Sequence, residues 1–328
     1  MFKKIMLLIL CIALCFSFSS CALKKGIVSV DGSNVDEAYF KYYFTTLKNT
    51  IQTQQGEDSW QDATLDGKPA LEYVRERALQ SVIDEKIIML KVKEDNIQLD
   101  ENDLNSIKNL KQQWINQYGN KKNFVQGIYE TYGRSEKNFD YMMEAAHYKN
   151  KVMDKYVIVE EQEVSDFYTE NIAKVKHILI ATVNLENGAP LSTEELSGVN
   201  EKVERIKEEL SSGADFDELI EKYTQDRNAF YYVGRGFSLD DNGAQSSSMV
   251  PEFEEASFAL KTGEISQVVE SAYGYHIIKR YNNDNSMLEK AKETLSYIIK
   301  VEKFSEVIDE WRKQMNIVVN NEIYNSYK

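Results

Sequence analysis

The stretch at 248–280, SMVPEFEEASFALKTGEISQVVESAYGYHIIKR, places Met249 four residues before Phe253, then a Lys-Thr-Gly-Glu turn, then a Gly-Tyr-His run that enters an apolar strand. Met249 and Phe253 fall on one turn leading into a helix, where a flexible thioether and a rigid ring share a face. Two readings stand for this stretch: a catalytic groove, or a small, well-packed domain.

Working outward, the chain has three histidines, and two of them, His177 in VKHILI and His276 in GYHIIK, sit in predicted strands near this stretch. A single buried histidine is ordinarily a hydrogen-bonded structural residue. Two in one small sheet call for a joint explanation. Around them the helical period stops near Ala173, and a β-rich run begins. A long amphipathic helix over 194–210, a second over 215–223, a Gly- and Ser-bearing loop, a third helix after Pro251 and two strands around Val268 and Ile277 complete a compact α+β unit with a small sheet. The third histidine, His147, falls in a helical stretch and reads as a surface or packed residue.

The motifs VKHILI, GADFDELIEKYTQD, MVPEFEEASFALKTGEIS and YGYHIIKRY, in this order and spacing, make residues 173–282 resemble a parvulin-type (PpiC) peptidyl-prolyl cis-trans isomerase domain. The whole chain resembles the PrsA-type extracytoplasmic foldase lipoproteins and, more weakly, the SurA chaperones. The resemblance implies that His177 and His276 are the paired catalytic histidines and Asp226 the central acid. It also implies that Met249, Phe253 and Val233, the last standing where the family usually has leucine, hold the proline ring, with Ser271 supplying a hydroxyl beside the second histidine. No cofactor and no metal are implied, because isomerisation of an X-Pro bond crosses a resonance barrier of ~18–20 kcal/mol without breaking a covalent bond. The enzyme has only to favour the twisted amide over its planar forms.

Where the family has a GGDLG turn, this chain reads FYYVGRG from Phe230. Glycine there permits φ > 0, which tyrosine tolerates poorly, so a reshaped groove with weak or lost activity is expected. The alternative function is accordingly a non-catalytic holdase that uses a parvulin fold as a binding platform. The loop at 180–195 contains no Lys or Arg, which argues against selectivity for phosphoserine-proline.

The flanks are helical. Residues 26–44 read as a strand through Val28 and Val30, a turn at Asp31-Gly32, and a helix capped near Ser33 or Asn34. Val74, Ala78, Val82, Ile83, Ile87 and Leu90 recur at helical spacing, and Asp100 looks like a helix cap. After 285 a second stripe runs through Leu288, Ala291, Leu295, Ile298, Phe304, Ile308, Trp311 and Met315. The expected organisation is a signal peptide at 1–20, a helical chaperone region at 21–172, the isomerase domain at 173–282, and a helical segment at 283–328 that packs back on the N-terminal lobe. A homodimer through that lobe is left open. The acidic clusters EEQE and DEAY lack the alternating ligand loop of a calcium site and read as solvated faces.

At the start, Lys3 and Lys4 precede an apolar run over 5–18 that ends in FSFSSC, the pattern of a secretory leader. Cys21 after two serines resembles the bacterial lipobox, which implies lipidation of Cys21 and an extracytoplasmic chain anchored to the cell membrane. Phe18 departs from the usual aliphatic residue. Cys11 and Cys15 would leave with the leader, so the mature chain has no disulfide and no other thiol. Losing the two lysines takes the formal charge from -14 to -16 (-14 minus 2). Such a balance excludes a nucleic-acid partner. Unfolded or newly secreted polypeptides are the partners that the resemblance implies.

Overall fold

A computed structural model describes residues 26–56, 59–132 and 135–328. The leader 1–20 and the lipidation candidate Cys21 lie outside the described residues. The chain divides into two units, one comprising the described residues up to Lys155 together with Glu306–Lys328, the other Tyr156–Ser305.

The first unit starts with strand β1 (Gly26–Val30), where Ile27, Val28 and Val30 are fully buried. Asp31 and Gly32 both take positive φ, 47° and 76°, forming the two-residue turn whose twist suits a hairpin. The chain therefore returns as β2 (Ser33–Asp36), antiparallel to β1, in place of the helix start expected at Ser33 or Asn34. The cap is Asp36, which accepts the Ala38 amide at 2.8 Å and opens α1 (Glu37–Gln55). After the short hairpin of β3 (Thr64–Leu65) and β4 (Lys68–Pro69), α2 (Ala70–Glu94) buries Val74, Ala78, Val82, Ile83 and Ile87. Asp100 caps α3 (Glu101–Gln117) as expected, in a reciprocal box with Asp103. Helices α4 (Lys121–Tyr132) and α5 (Glu136–Tyr156) enclose Phe124, Ile128, Phe139 and Met143 against Trp114.

The second unit opens with α6 (Glu161–Asn171), which runs directly into β5 (Ile172–Ala181). The expected helix over 194–210 is two, α7 (Thr193–Ser197) and α8 (Val199–Ser211), because Gly198, a poor helix former, terminates the first. There follow α9 (Phe216–Tyr223), β6 (Phe230–Gly234), β7 (Ser238–Leu239), β8 (Gln245–Ser246), α10 (Pro251–Ala259), β9 (Val269–Ser271) and β10 (Gly274–Arg280). The sheet is antiparallel throughout, in the order β8-β7-β6-β5-β10-β9. The two-residue period of β5 splits its side chains between two cores. Ile178 and Ile180 meet α8 and α9 through Val203, Ile206, Phe216 and Leu219. Ala173 and Val175 face the opposite way, toward Val233, Phe253 and Ile278.

The division of the chain differs from the expected one at both ends. Val164 and Tyr168 of α6 pack with Ile172, Tyr232 and Leu239 of the sheet, with Phe237 of the turn between β6 and β7, and with Met287, Ala291, Leu295 and Ile299 of α11 (Asn285–Gln314). Burying those stripes draws residues 156–172 and 283–305 into the sheet unit. Only the tail from Glu306 joins the first unit, and it does so partly as a strand. Strand β11 (Ile317–Val319) pairs antiparallel with β1, Val28 opposite Val319 and Val30 opposite Ile317, and α12 (Asn321–Ser326) follows. The class is α+β, with an antiparallel parvulin-like sheet lying between helical segments.

Candidate active site

Antiparallel pairing sets Ile278 of β10 opposite His177 of β5, which puts His276, two residues earlier, on the same sheet face as His177. The side chains are 2% and 5% exposed, and their Nδ1 atoms are 3.2 Å apart. His177 Nε2 reaches Asp226 Oδ2 at 3.0 Å, and His276 Nε2 reaches Ser271 Oγ at 2.8 Å. The structure thus brings Asp226, His177, His276 and Ser271 into one hydrogen-bonded line that draws on a loop and three strands.

Asp226 owes its place to the residues before it. Thr224 Oγ1 accepts the Leu179 amide at 3.1 Å, the Gln225 amide donates to the Leu179 carbonyl at 2.9 Å, and Gln225 Oε1 accepts the Ala181 amide at 2.8 Å. These bonds lash the loop after α9 to β5. Neither Thr224 nor Gln225 was singled out from the sequence, although both stand inside the YTQD motif.

Burial alone would push the Asp226 carboxyl up, but donation from His177, the Asn228 amide and the Tyr231 hydroxyl outweighs it and holds the group below the usual carboxylate range. An ionised carboxylate only accepts, so the His177 proton toward it sits on Nε2. Burial, and next the neighbouring His177, push His276 down to about 4, which keeps it neutral at pH 7. The hydrogen-bond assignment that gives every ring nitrogen a partner has Ser271 donating to His276 Nε2, His276 Nδ1 donating to His177 Nδ1, and His177 Nε2 donating to Asp226.

The apolar side of the site is Phe253. Its ring stands edge-on to His177 and His276, with centroids 5.0 and 5.3 Å away at 85° and 74°. Met249, partly buried, packs in the same cluster. Phe253 is 2% exposed and Val233 0%, so Val233 lies wholly beneath the face and supports Phe253 from behind.

The segment 230–234 is not the turn that the family pattern suggests. This segment is the extended strand β6, with Val175 opposite Tyr231 and Lys174 opposite Tyr232, and neither tyrosine has positive φ. The reversal lies further on, at Gly234 and Gly236. A Cβ on Gly234 would sit 2.5 Å from the Phe237 ring, and Gly236 takes φ 77°. Both aromatics have hydroxyl partners: Tyr231 donates to Asp226 at 3.0 Å, and Tyr232 to Asp284 at 2.6 Å. The long polar loop after it holds the hairpin of β7 and β8, turned about Asp240, whose side chain accepts the Asn242 and Ala244 amides. His147, by contrast, donates from Nδ1 to the Met143 carbonyl one turn back at 3.1 Å, a helix-surface bond outside the cluster.

Residues 156–284 match the family model described as the PPIC-type PPIASE domain. Foldase protein PrsA of Caldanaerobacter subterraneus subsp. tengcongensis is 27% identical over 326 residues, covering 94% of this chain and 92% of that protein. Foldase protein PrsA of Clostridium botulinum strain Langeland is 26% identical over 300 residues, covering 81% of this chain and 79% of its own. The crystal structure of a peptidylprolyl isomerase (PrsA) from Bacillus anthracis is 24% identical over 72% of this chain and 96% of that one, with a TM-score of 0.35.

Proposed function

On the premise that residues 156–284 are a parvulin-type peptidyl-prolyl isomerase domain, we propose that the chain is a foldase anchored by lipid on Cys21 to the outer face of the cell membrane. It binds secreted polypeptides and catalyses cis-trans isomerisation of their X-Pro bonds. The observation that carries this reading is the line Asp226–His177–His276–Ser271 laid against the edge-on ring of Phe253.

A planar X-Pro amide holds negative charge on its carbonyl oxygen and double-bond character in its C–N bond, and both fade as the bond twists. A fixed carboxylate at Asp226, facing that oxygen, disfavours the planar charge distribution more than the twisted one. The histidine pair, linked Nδ1 to Nδ1, holds the carboxylate in place through His177 Nε2. Met249 and Phe253 grip the proline ring, so that rotation occurs about the bond while the ring stays put. No nucleophile takes part. The helical unit supports a chaperone role by offering apolar side chains to water, Leu104 at 52% and Tyr129 at 66% exposure.

One observation favours the second reading, a holdase without turnover: Phe253 is 2% exposed, which leaves Met249 as the accessible part of the ring pocket. Refolding of a protein limited by X-Pro isomerisation separates the two. A foldase shortens the slow phase at catalytic amounts, whereas a holdase suppresses aggregation and leaves that phase unchanged. For the anchor, fatty-acid labelling of cells should put lipid on a mature N-terminal Cys21; a mature chain beginning elsewhere would remove that part of the proposal.

A further inference from the structure

We propose that Tyr231 is a positioning residue of the isomerase groove, fixing the Asp226 carboxylate by donating its hydroxyl to the oxygen that His177 also holds. The inference rests on the reading of Asp226 as the acid of that groove.

Oδ2 of Asp226 receives two donors, His177 Nε2 at 3.0 Å from β5 and the Tyr231 hydroxyl at 3.0 Å from β6, while Oδ1 receives the Asn228 amide at 3.0 Å. A single donor leaves a carboxylate free to swing about its own bonds. Donors converging from two strands and from the loop fix its plane. The register explains why Tyr231 is available: opposite Val175, it shares the face of His177, whereas Tyr232 points away to Asp284. The Tyr231 ring is also 5.6 Å from His177 and 6.2 Å from Phe253, nearly perpendicular to the latter, so packing holds the hydroxyl's direction. Burial, reinforced by the Asp226 charge, raises the Tyr231 hydroxyl well above its ordinary range, and it remains a donor at every working pH. The other titratable groups facing Asp226 are His177 and, behind it, His276. Arg227, next in sequence, is exposed and ion-paired with Glu186 at 3.3 Å. A carboxylate held this way needs no reorientation as the amide twists, which is where fixed electrostatic groups accelerate reactions.

The test uses the whole chain carrying Tyr231→Phe, which keeps the ring and removes only the donor. Losing one such bond should lower kcat/KM for an unphosphorylated X-Pro peptide by about three- to tenfold. It should also move the acid limb of the pH profile to higher pH, because the ionised form of Asp226 loses a partner. In an Asp226→Asn background the same substitution should change the rate by less than about twofold, since its effect passes through Asp226. An unchanged rate, an unmoved acid limb, or an equal loss in the Asp226→Asn background would each overturn the proposal. The Asp226 carboxyl titration followed by 13C NMR reads the same contact without turnover. If the wild-type chain proves inactive, the isomerase reading fails by itself, and an upward shift of that titration in Tyr231→Phe still supports the positioning contact, while no shift refutes it.

Discussion

The two units solve the burial problem differently. In the helical unit the buried side chains are almost entirely apolar: Ser29 is its one buried polar residue among the described residues, and the ion pairs, such as Arg312 with Asp84, lie partly exposed. In the sheet unit His177, His276, Ser238 and Ser257 are all buried. Placing imidazoles in a core is unfavourable unless every polar atom finds a partner, and here each ring nitrogen of the pair has one. A core selected for packing alone would fill those two positions with aliphatic residues, as it does at Ile178 and Ile278. The difference marks the sheet unit as the place where buried polar groups are held for chemistry.

The largest effect expected from breaking this comparison comes from two phenylalanines. Phe253→Ala should destabilise the sheet unit by about 3–4 kcal/mol and abolish isomerisation, whereas Phe124→Ala should destabilise the helical unit by a similar amount and leave the X-Pro peptide rate intact. Urea unfolding followed separately in each unit, with peptide assays below the transition, checks both. Loss of peptide activity in Phe124→Ala would break the assignment of chemistry to one unit.

Next in size is the pH dependence. The His276 pKa lies at about 4 in the folded chain and near 6.5 when unfolded, so between those values the unfolded chain binds more protons. Stability is therefore fully present above pH ~6.5 and declines as pH falls toward 4, by roughly 2–3 kcal/mol if His276 acts alone. Asp226, whose folded pKa is depressed below 3.8, adds its own loss only at still lower pH. The urea midpoint of the sheet unit at pH 7, 5 and 4 should fall accordingly, and a His276→Gln variant should flatten the decline. A decline of the same size in the helical unit would erase the contrast.

The smallest effect sharpens the boundary. Asp36→Ala removes the cap of α1 and should cost about 1 kcal/mol in the helical unit alone, read as an earlier urea midpoint with no change in peptide rate.

Much of the sheet unit was legible because its motifs are local: YTQD, the Met249 to Phe253 spacing and the two histidine strands each fit within a dozen residues. Strand periodicity even put His177 and His276 in apolar settings, although only the register shows that they share a face. What escaped the sequence was non-local or conformational. Nothing near residue 317 signals that it pairs with β1, nearly the whole chain away. The stripe after 285 was visible, but its partner was not, and α6 with the first turns of α11 proved to belong to the sheet. Tyr231 was read as a strained substitute for glycine because a residue type suggests a backbone conformation without fixing it. Once the strand is extended there, the same side chain becomes a hydroxyl donor to the acid.

The most direct measurement is the cis-to-trans rate of an unphosphorylated X-Pro peptide in the presence of the whole chain, beside Asp226→Ala and His276→Ala variants shown to be folded. The wild type should accelerate the reaction, and the acceleration should fall at least about tenfold in each variant, since each leaves a buried partner unpaired. Undiminished acceleration in both folded variants, or none from the wild type, would contradict this.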